Sequence, residues 1–108
     1  MDIRRLNWSK TEKAIAQKAF NLALDREFEE VIQEAKGRAA KLAEPDDLWS
    51  LERFLTRRRK EIDRRYDYRY SELPFVFGCL IREGRLSLED LRGLGEDKLD
   101  YVRRLISV

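Results

Sequence analysis

The chain has 108 residues, 41% of them charged, yet 23 lysines and arginines stand against 21 aspartates and glutamates, leaving a formal net charge of only +2. That length holds one domain with a modest core, and charges this nearly balanced generate no global field to draw in nucleic acid. Histidine is absent, which removes the commonest general base and the commonest metal ligand, and a single cysteine offers no disulfide framework and suits a reduced, cytosolic setting.

The opening residues MDIRRLNWSK carry charges with no apolar signal core behind them. Ser9 and Glu12 then stand at capping-box spacing, which predicts a helix start. Apolar positions follow at Ile15, Ala19, Phe20, Leu24, Phe28, Val31, Ile32, Ala35, Ala39 and Leu42 with no intervening proline, the pattern of one long helix with a buried stripe. Gly37 is its weak point, costing about 1 kcal/mol against alanine unless a close helix contact needs it. In its middle Asp25, Glu27, Glu29, Glu30 and Glu34 outnumber Arg26 and Lys36.

A break at Ala43 and Glu44 leads to Pro45, suited to a first helical turn, with Asp46 and Asp47 at the positive end of the helix dipole. From Pro45 to Ser71 the spacing predicts a second long helix, with Leu48, Leu51, Leu55, Ile62 and Tyr66 on one face and Arg58 or Arg59 interrupting the stripe. It is basic: Arg53, Arg57, Arg58, Arg59, Lys60, Arg64, Arg65 and Arg69 face Glu52, Glu61, Asp63 and Asp67. An acidic and a basic helix joined by a short connection are expected to lie antiparallel, with their charges opposed. Each of about 30 residues, roughly 45 Å long, they form a hairpin too thin to enclose a core, so dimerisation into a four-helix stalk is expected.

Beyond Ser71 the composition changes. Pro74 predicts a shorter apolar helix through Phe75, Phe77, Leu80 and Ile81, stopped by Gly84, with Cys79 as a small buried side chain. Ser87 and Asp90 mark another helix start, and Gly93 and Gly95 precede a final helix ending near Ile106. The fold class is therefore all-α: a long helical hairpin and dimerisation region over residues 1–71 and a small helical head over 72–108. The longest apolar run, Leu73 to Ile81, is far short of the roughly 20 residues a membrane span needs.

Three kinds of function compete for these residues. Arg57 to Lys60 with Arg64 and Arg65 can neutralise phosphates, but interleaved Glu61, Asp63 and Asp67 favour a solvated face paired to the acidic first helix. Paired acids such as Asp46 with Asp47, or Glu61 with Asp63, have no nucleophile, base and orienter at useful spacing, and no glycine-rich phosphate loop or metal-ligand spacing is present. Neither catalysis, a cofactor nor a metal is expected. Protein recognition is the third: Trp49, Arg53, Phe54 and Arg59 lie on one or adjacent faces of the central helix and belong to the types that dominate interface energy, although Trp49 and Phe54 fit a core equally well.

At these same residues the sequence resembles the fluorescence recovery protein family of cyanobacteria. The resemblance is carried by DDLW at Asp46 to Trp49, Phe54-Leu55, Arg59 with Glu61 to Asp63, YDYRYS at Tyr66 to Ser71, Phe75 to Phe77, Glu83-Gly84 and Asp97-Lys98. It implies an all-helical homodimer with no enzymatic activity, which binds photoactivated orange carotenoid protein, chiefly at its C-terminal domain, and speeds return to the resting orange form, restoring phycobilisome fluorescence. It implies a cytoplasmic location that reaches thylakoid-attached phycobilisomes through the partner. Its partner-binding patch would include Trp49 and Arg59, with Phe75 in the head. The resemblance departs at Glu52 and Arg53, where the family's better-studied members carry His and Asp. A helical scaffold with another protein partner is the alternative.

Overall fold

The computed structural model describes residues 6–107, and every regular element among them is helical. The charged lead-in read from Met1 to Arg5 lies outside them. Helix α1 spans Lys10–Ala40, α2 Pro45–Arg65, α3 Leu73–Arg82 and α4 Glu96–Ile106, with a single 3-10 turn at Leu88–Leu91 between the last two. The molecule measures 53 × 25 × 22 Å, an elongated shape set by the 31 residues of α1.

The predicted start of α1 is present in full: Glu12 N donates to Ser9 Oγ at 3.1 Å and Ser9 N to Glu12 Oε1 at 2.9 Å. Only the first half of the helix is buried, along Ala16, Ala19, Phe20 and Ala23, and there it meets Leu73, Val76, Phe77 and Leu80 of α3, Leu86, Leu91 and Leu94 of the connections, and Val102 of α4. Alanines on this face let the head approach α1 closely. Past Glu27 the stripe emerges into solvent, with Phe28 and Ile32 each nearly half exposed.

Helix α2 runs back antiparallel along the second half of α1, with Phe54 against Arg38 and Arg58 against Glu27. Pro45 opens its first turn, and Asp47 Oδ2 accepts from the backbone N–H groups of Ala43 and Glu44 at 3.0 and 2.9 Å. Its buried residues are Phe54 and Ile62, so the face toward α1 is the line Phe54, Arg58, Ile62 rather than the leucine stripe. Arg58 is the cationic break anticipated in the apolar face, and its side chain is only 14% exposed.

The central helix ends at Arg65, six residues before the predicted Ser71. Tyr66, Tyr68 and Tyr70 are the reason. They alternate with Asp67 and Arg69 at the period of an extended chain, and helical geometry would turn Tyr68 away from Tyr66. Out of the helix, all three tyrosines pack on the core: Phe20 meets Tyr66 and Tyr68 edge-on at centroid distances of 5.4 and 4.8 Å, and Trp8 meets Tyr70 at 5.3 Å. Burial of three aromatic rings outweighs the backbone bonds of one further helical turn. A second correction concerns Cys79, which is half-buried at a surface cleft beside Arg65, Arg82 and Glu83.

The head closes on α1 through a buried acid. Glu12 also accepts from Gly95 N at 2.7 Å, at the start of α4, and its Oε2 lies 3.1 Å from the ammonium of Lys98, a residue 3% exposed. Burial alone would raise the pKa of Glu12, but the N–H groups of Ser9 and Gly95 together with Lys98 overcome it and lower the value from 4.5 to about 2.

Three consequences are measurable. A Cβ on Gly78 would stand 2.9 Å from Leu105 Cβ where α3 crosses α4, so Gly78→Ala is expected to destabilise the protein by about 2 kcal/mol in denaturant unfolding. Gly37 has nothing within 4 Å of such a position, so Gly37→Ala should stabilise by roughly 1 kcal/mol. Because the pKa of Glu12 is depressed by folding, its contribution is complete above pH 4.5 and is lost as the pH falls toward 2. Glu12→Gln should therefore cost about 2 kcal/mol at pH 7 and progressively less below pH 4.5, read from unfolding midpoints across that range.

Candidate protein-binding face

The α-helical period divides α2 into two working sides. Toward α1, Phe54 is 2% exposed and sandwiched by guanidiniums, with Arg38 at 4.4 Å and Arg57 at 5.8 Å from its ring centre. It is a packing residue of the hairpin and not a surface contact. Away from α1, Trp49 is 55% exposed, and Glu52, Arg53 and Arg59 are exposed with it. Steps of three, four and seven residues place these four side chains on one contiguous outward sector. Among the described residues none of Glu52, Arg53 or Arg59 is engaged in an ion pair within 4 Å. Phe75, 47% exposed, stands apart from them on α3 in the head.

Arg59 joins this sector to an apolar one. With Phe28, Val31, Leu55, Arg58, Ile62 and Asp63 it lines a groove of about 330 Å³ between the two long helices. Leu48 is one heptad before Leu55, and Ile32 one helical turn beyond Phe28, so the half-exposed side chains continue along both rims. A second depression of about 480 Å³ is lined by Glu52, Arg53, Thr56, Arg57, Lys60, Glu61 and Arg64. It mixes both signs of charge along one side of α2.

The expected opposition of an acidic α1 and a basic α2 is realised at a single buried place. Glu27, 4% exposed, accepts from Arg58 Nη2 at 2.8 Å and from the Tyr66 hydroxyl at 2.9 Å, and Arg85 Nε lies 3.1 Å from Oε1. Burial and this carboxylate together push the Tyr66 hydroxyl well above its ordinary pKa. The other acids of α1 look elsewhere: Glu30 pairs with Arg85 at 3.2 Å and Glu34 with Arg38 on its own helix. Arg58 and Glu61 close the cluster at 2.7 Å, and Arg65 pairs with Glu83. Sequence reasoning placed Glu27 among the stalk acids and passed over Arg85 entirely. Position 27 continues the buried line of Ala16, Ala19, Phe20 and Ala23, a signal that the acid faces inward.

The comparisons with known proteins decide the family. A model of the photoprotection regulator fluorescence recovery protein family matches residues 8–106. The chain belongs to that family. The fluorescence recovery protein of Synechocystis sp. is 37% identical over 98 residues, covering 91% of this chain and 90% of the relative. The solved structure of the Fremyella diplosiphon fluorescence recovery protein superposes with a TM-score of 0.89 at 43% identity, covering 94% of this chain and all of that one. The Synechocystis structure gives the same TM-score at 35% identity and the same coverage. The all-helical architecture expected from the sequence is therefore the family's own, and the family is one of photoprotection regulators. Among the described residues, no helix is long and apolar enough to cross a membrane.

Proposed function

We propose that this chain binds the photoactivated form of orange carotenoid protein, through that partner's C-terminal domain, and accelerates its return to the orange form, ending quenching at the phycobilisome. The single observation that carries the reading, beside family membership, is the outward sector of α2. Trp49, Glu52, Arg53 and Arg59 stand in solvent beside an apolar groove, with no ion-pair partner for their charges among the described residues. Trp and Arg are the side chains that most often anchor protein interfaces. A binder accelerates a conformational return only if it holds the compact state or the closing transition more tightly than the open one. The chain does this without catalysis or a cofactor, in the cytoplasm, and Phe75 in the head supplies a second contact.

The working form is a homodimer. One copy leaves Phe28, Ile32, Leu48 and Leu55 between 42% and 50% exposed along the same open side of the hairpin. A second copy, rather than solvent, suits a contiguous apolar stripe of this kind. The outward positive charge of Arg53, where better-studied relatives carry Asp, favours the alternative of a scaffold with another protein partner. One assay separates the two.

Dark red-to-orange absorbance recovery of photoactivated orange carotenoid protein should be faster with this chain present. Trp49→Ala and Arg59→Ala should each raise the half-saturating concentration at least about tenfold with helix content unchanged. Full activity in both variants would remove the sector from the reading, and no acceleration by a folded wild-type dimer would select the scaffold. Light scattering at micromolar concentration should return a dimer mass, and a monomer there would contradict the covered stripe.

A further inference from the structure

Three separate stretches of chain end on the carboxylate of Glu27. Arg58 comes from α2, Tyr66 from the tyrosine segment, and Arg85 from the connection after α3, while Glu27 itself marks the point where α1 leaves the core. The buried apolar cluster contains residues of α1, α3, α4 and the head connections but none of α2. Among the described residues, the polar ties between α2 and the head are those that run through Glu27 and the pair Arg65–Glu83, whose side chains are about one third exposed. The orientation of α2 against the head is therefore set by a polar joint with one buried carboxylate at its centre, not by a shared apolar core.

We propose that Glu27 is a positioning residue: it fixes the outward sector of α2 relative to Phe75 on the head, so that both engage a single protein partner at once. This rests on the partner-binding reading above. A carboxylate suits the joint because its two oxygens accept from Arg58 and Tyr66 while its charge holds the Arg85 guanidinium 3.1 Å away, whereas a glutamine has one acceptor oxygen, no charge, and turns an amide toward a guanidinium. Two contact patches held at fixed separation bind as one, the second at high effective concentration. A loosened joint loses that advantage while each patch keeps its own contacts. Phe75 and Trp49 are both about half exposed and lie on elements with no common core: the seam of Phe54 and Ile62 seats α2 on α1, and Glu27 is the buried group that ties α2 to the head.

The test is a cycle on the full chain in the recovery assay. Glu27→Gln and Phe75→Ala are each expected to raise the half-saturating concentration several-fold, and the double variant to be no weaker than Phe75→Ala alone, since positioning is worthless once the head contact is gone. Effects that multiply would overturn the proposal, because a general weakening of the fold or of the α2 sector acts regardless of Phe75. Tyr66→Phe, which deletes one donor and keeps the ring, replaces Glu27→Gln in the cycle if the latter fails to fold. A second readout needs no partner. Spin labels at Thr56→Cys and Arg92→Cys, with Cys79→Ser and dilution by unlabelled chain, should give a broader distance distribution in Glu27→Gln and Tyr66→Phe at unchanged helix content. An unchanged distribution overturns the joint. A wild-type chain inert in recovery overturns the partner reading and the functional half of this proposal, while the distances still judge the joint itself.

Discussion

Two antiparallel helices share one seam, and a seam so narrow hides few side chains. That limit governs how this chain divides its apolar residues. α2 buries only Phe54 and Ile62 against α1, so the pair cannot stand as a core by itself. The buried cluster forms instead where the first half of α1 meets the short helices of the head, across Ala16, Ala19, Phe20 and Ala23. Small side chains at those positions permit the close approach that larger ones would block, and Gly78 serves the same purpose where α3 crosses α4. What the hairpin cannot hide it presents: Phe28, Ile32, Leu48 and Leu55 on the open side and Trp49 on the outward one. The surface that supports the proposed assembly thus follows from the same geometry that denies the stalk a core of its own.

Local chemistry made much of this legible in the sequence. Ser9 with Glu12 and Pro45 with Asp47 each announce a helix start by hydrogen-bonding needs that involve only neighbours, and each is present where spacing puts it, while the same spacing at Ser87 and Asp90 opens only a 3-10 turn of 4 residues in place of the expected helix. Gly84, at a φ of 80°, ends α3 for an equally local reason. Where a distant contact decides, propensity misled. The segment after Arg65 reads as helix by charge and continuity, but its tyrosines alternate with charged residues, and the core behind them takes every second side chain. That period-two signal was present in Tyr66, Tyr68 and Tyr70 and was overridden by the length of the preceding pattern. Phe54 and the leucines of α2 were exchanged for a related reason: periodicity shows that a helix has two sides, but only the partner shows which side is inward.

The candidate face was legible in composition and not in placement. Trp49, Arg53 and Arg59 are interface types, and their outward position agrees with that reading, while Phe54 is claimed by Arg38 and Arg57 within the hairpin. By sequence the acids of α1 form one undifferentiated block. Only Glu27 meets α2, because Arg58 alone among the arginines of that helix lies on the line Phe54, Arg58, Ile62.

Glu12 and Glu27 stand at the two ends of the buried line on α1, and this bracketing has a physical consequence for specificity. An apolar stripe flanked by exposed polar residues tolerates a partner that slides by a turn, since burial is non-directional. A carboxylate buried at each end does not. Each is costly unless its partners arrive together, Gly95 N–H and Lys98 at one end and at the other Arg58, Tyr66 and the charge of Arg85, and every one of those partners belongs to a segment distant in sequence. Replacing each acid together with its buried cations by apolar groups of similar size need not weaken the fold, whereas removing the acids alone strands Lys98, Arg58 and Arg85 without their buried counter-charge. Either change would remove the two points that hold the head in a single register on α1, and with them the fixed relation between Phe75 and the outward side of α2. Among the described residues, the other ion pairs between distant segments, Arg26 with Asp90, Arg65 with Glu83 and Arg85 with Glu30, have at least one partner a third or more exposed to solvent, so these two buried acids carry the long-range information that the apolar pattern leaves open.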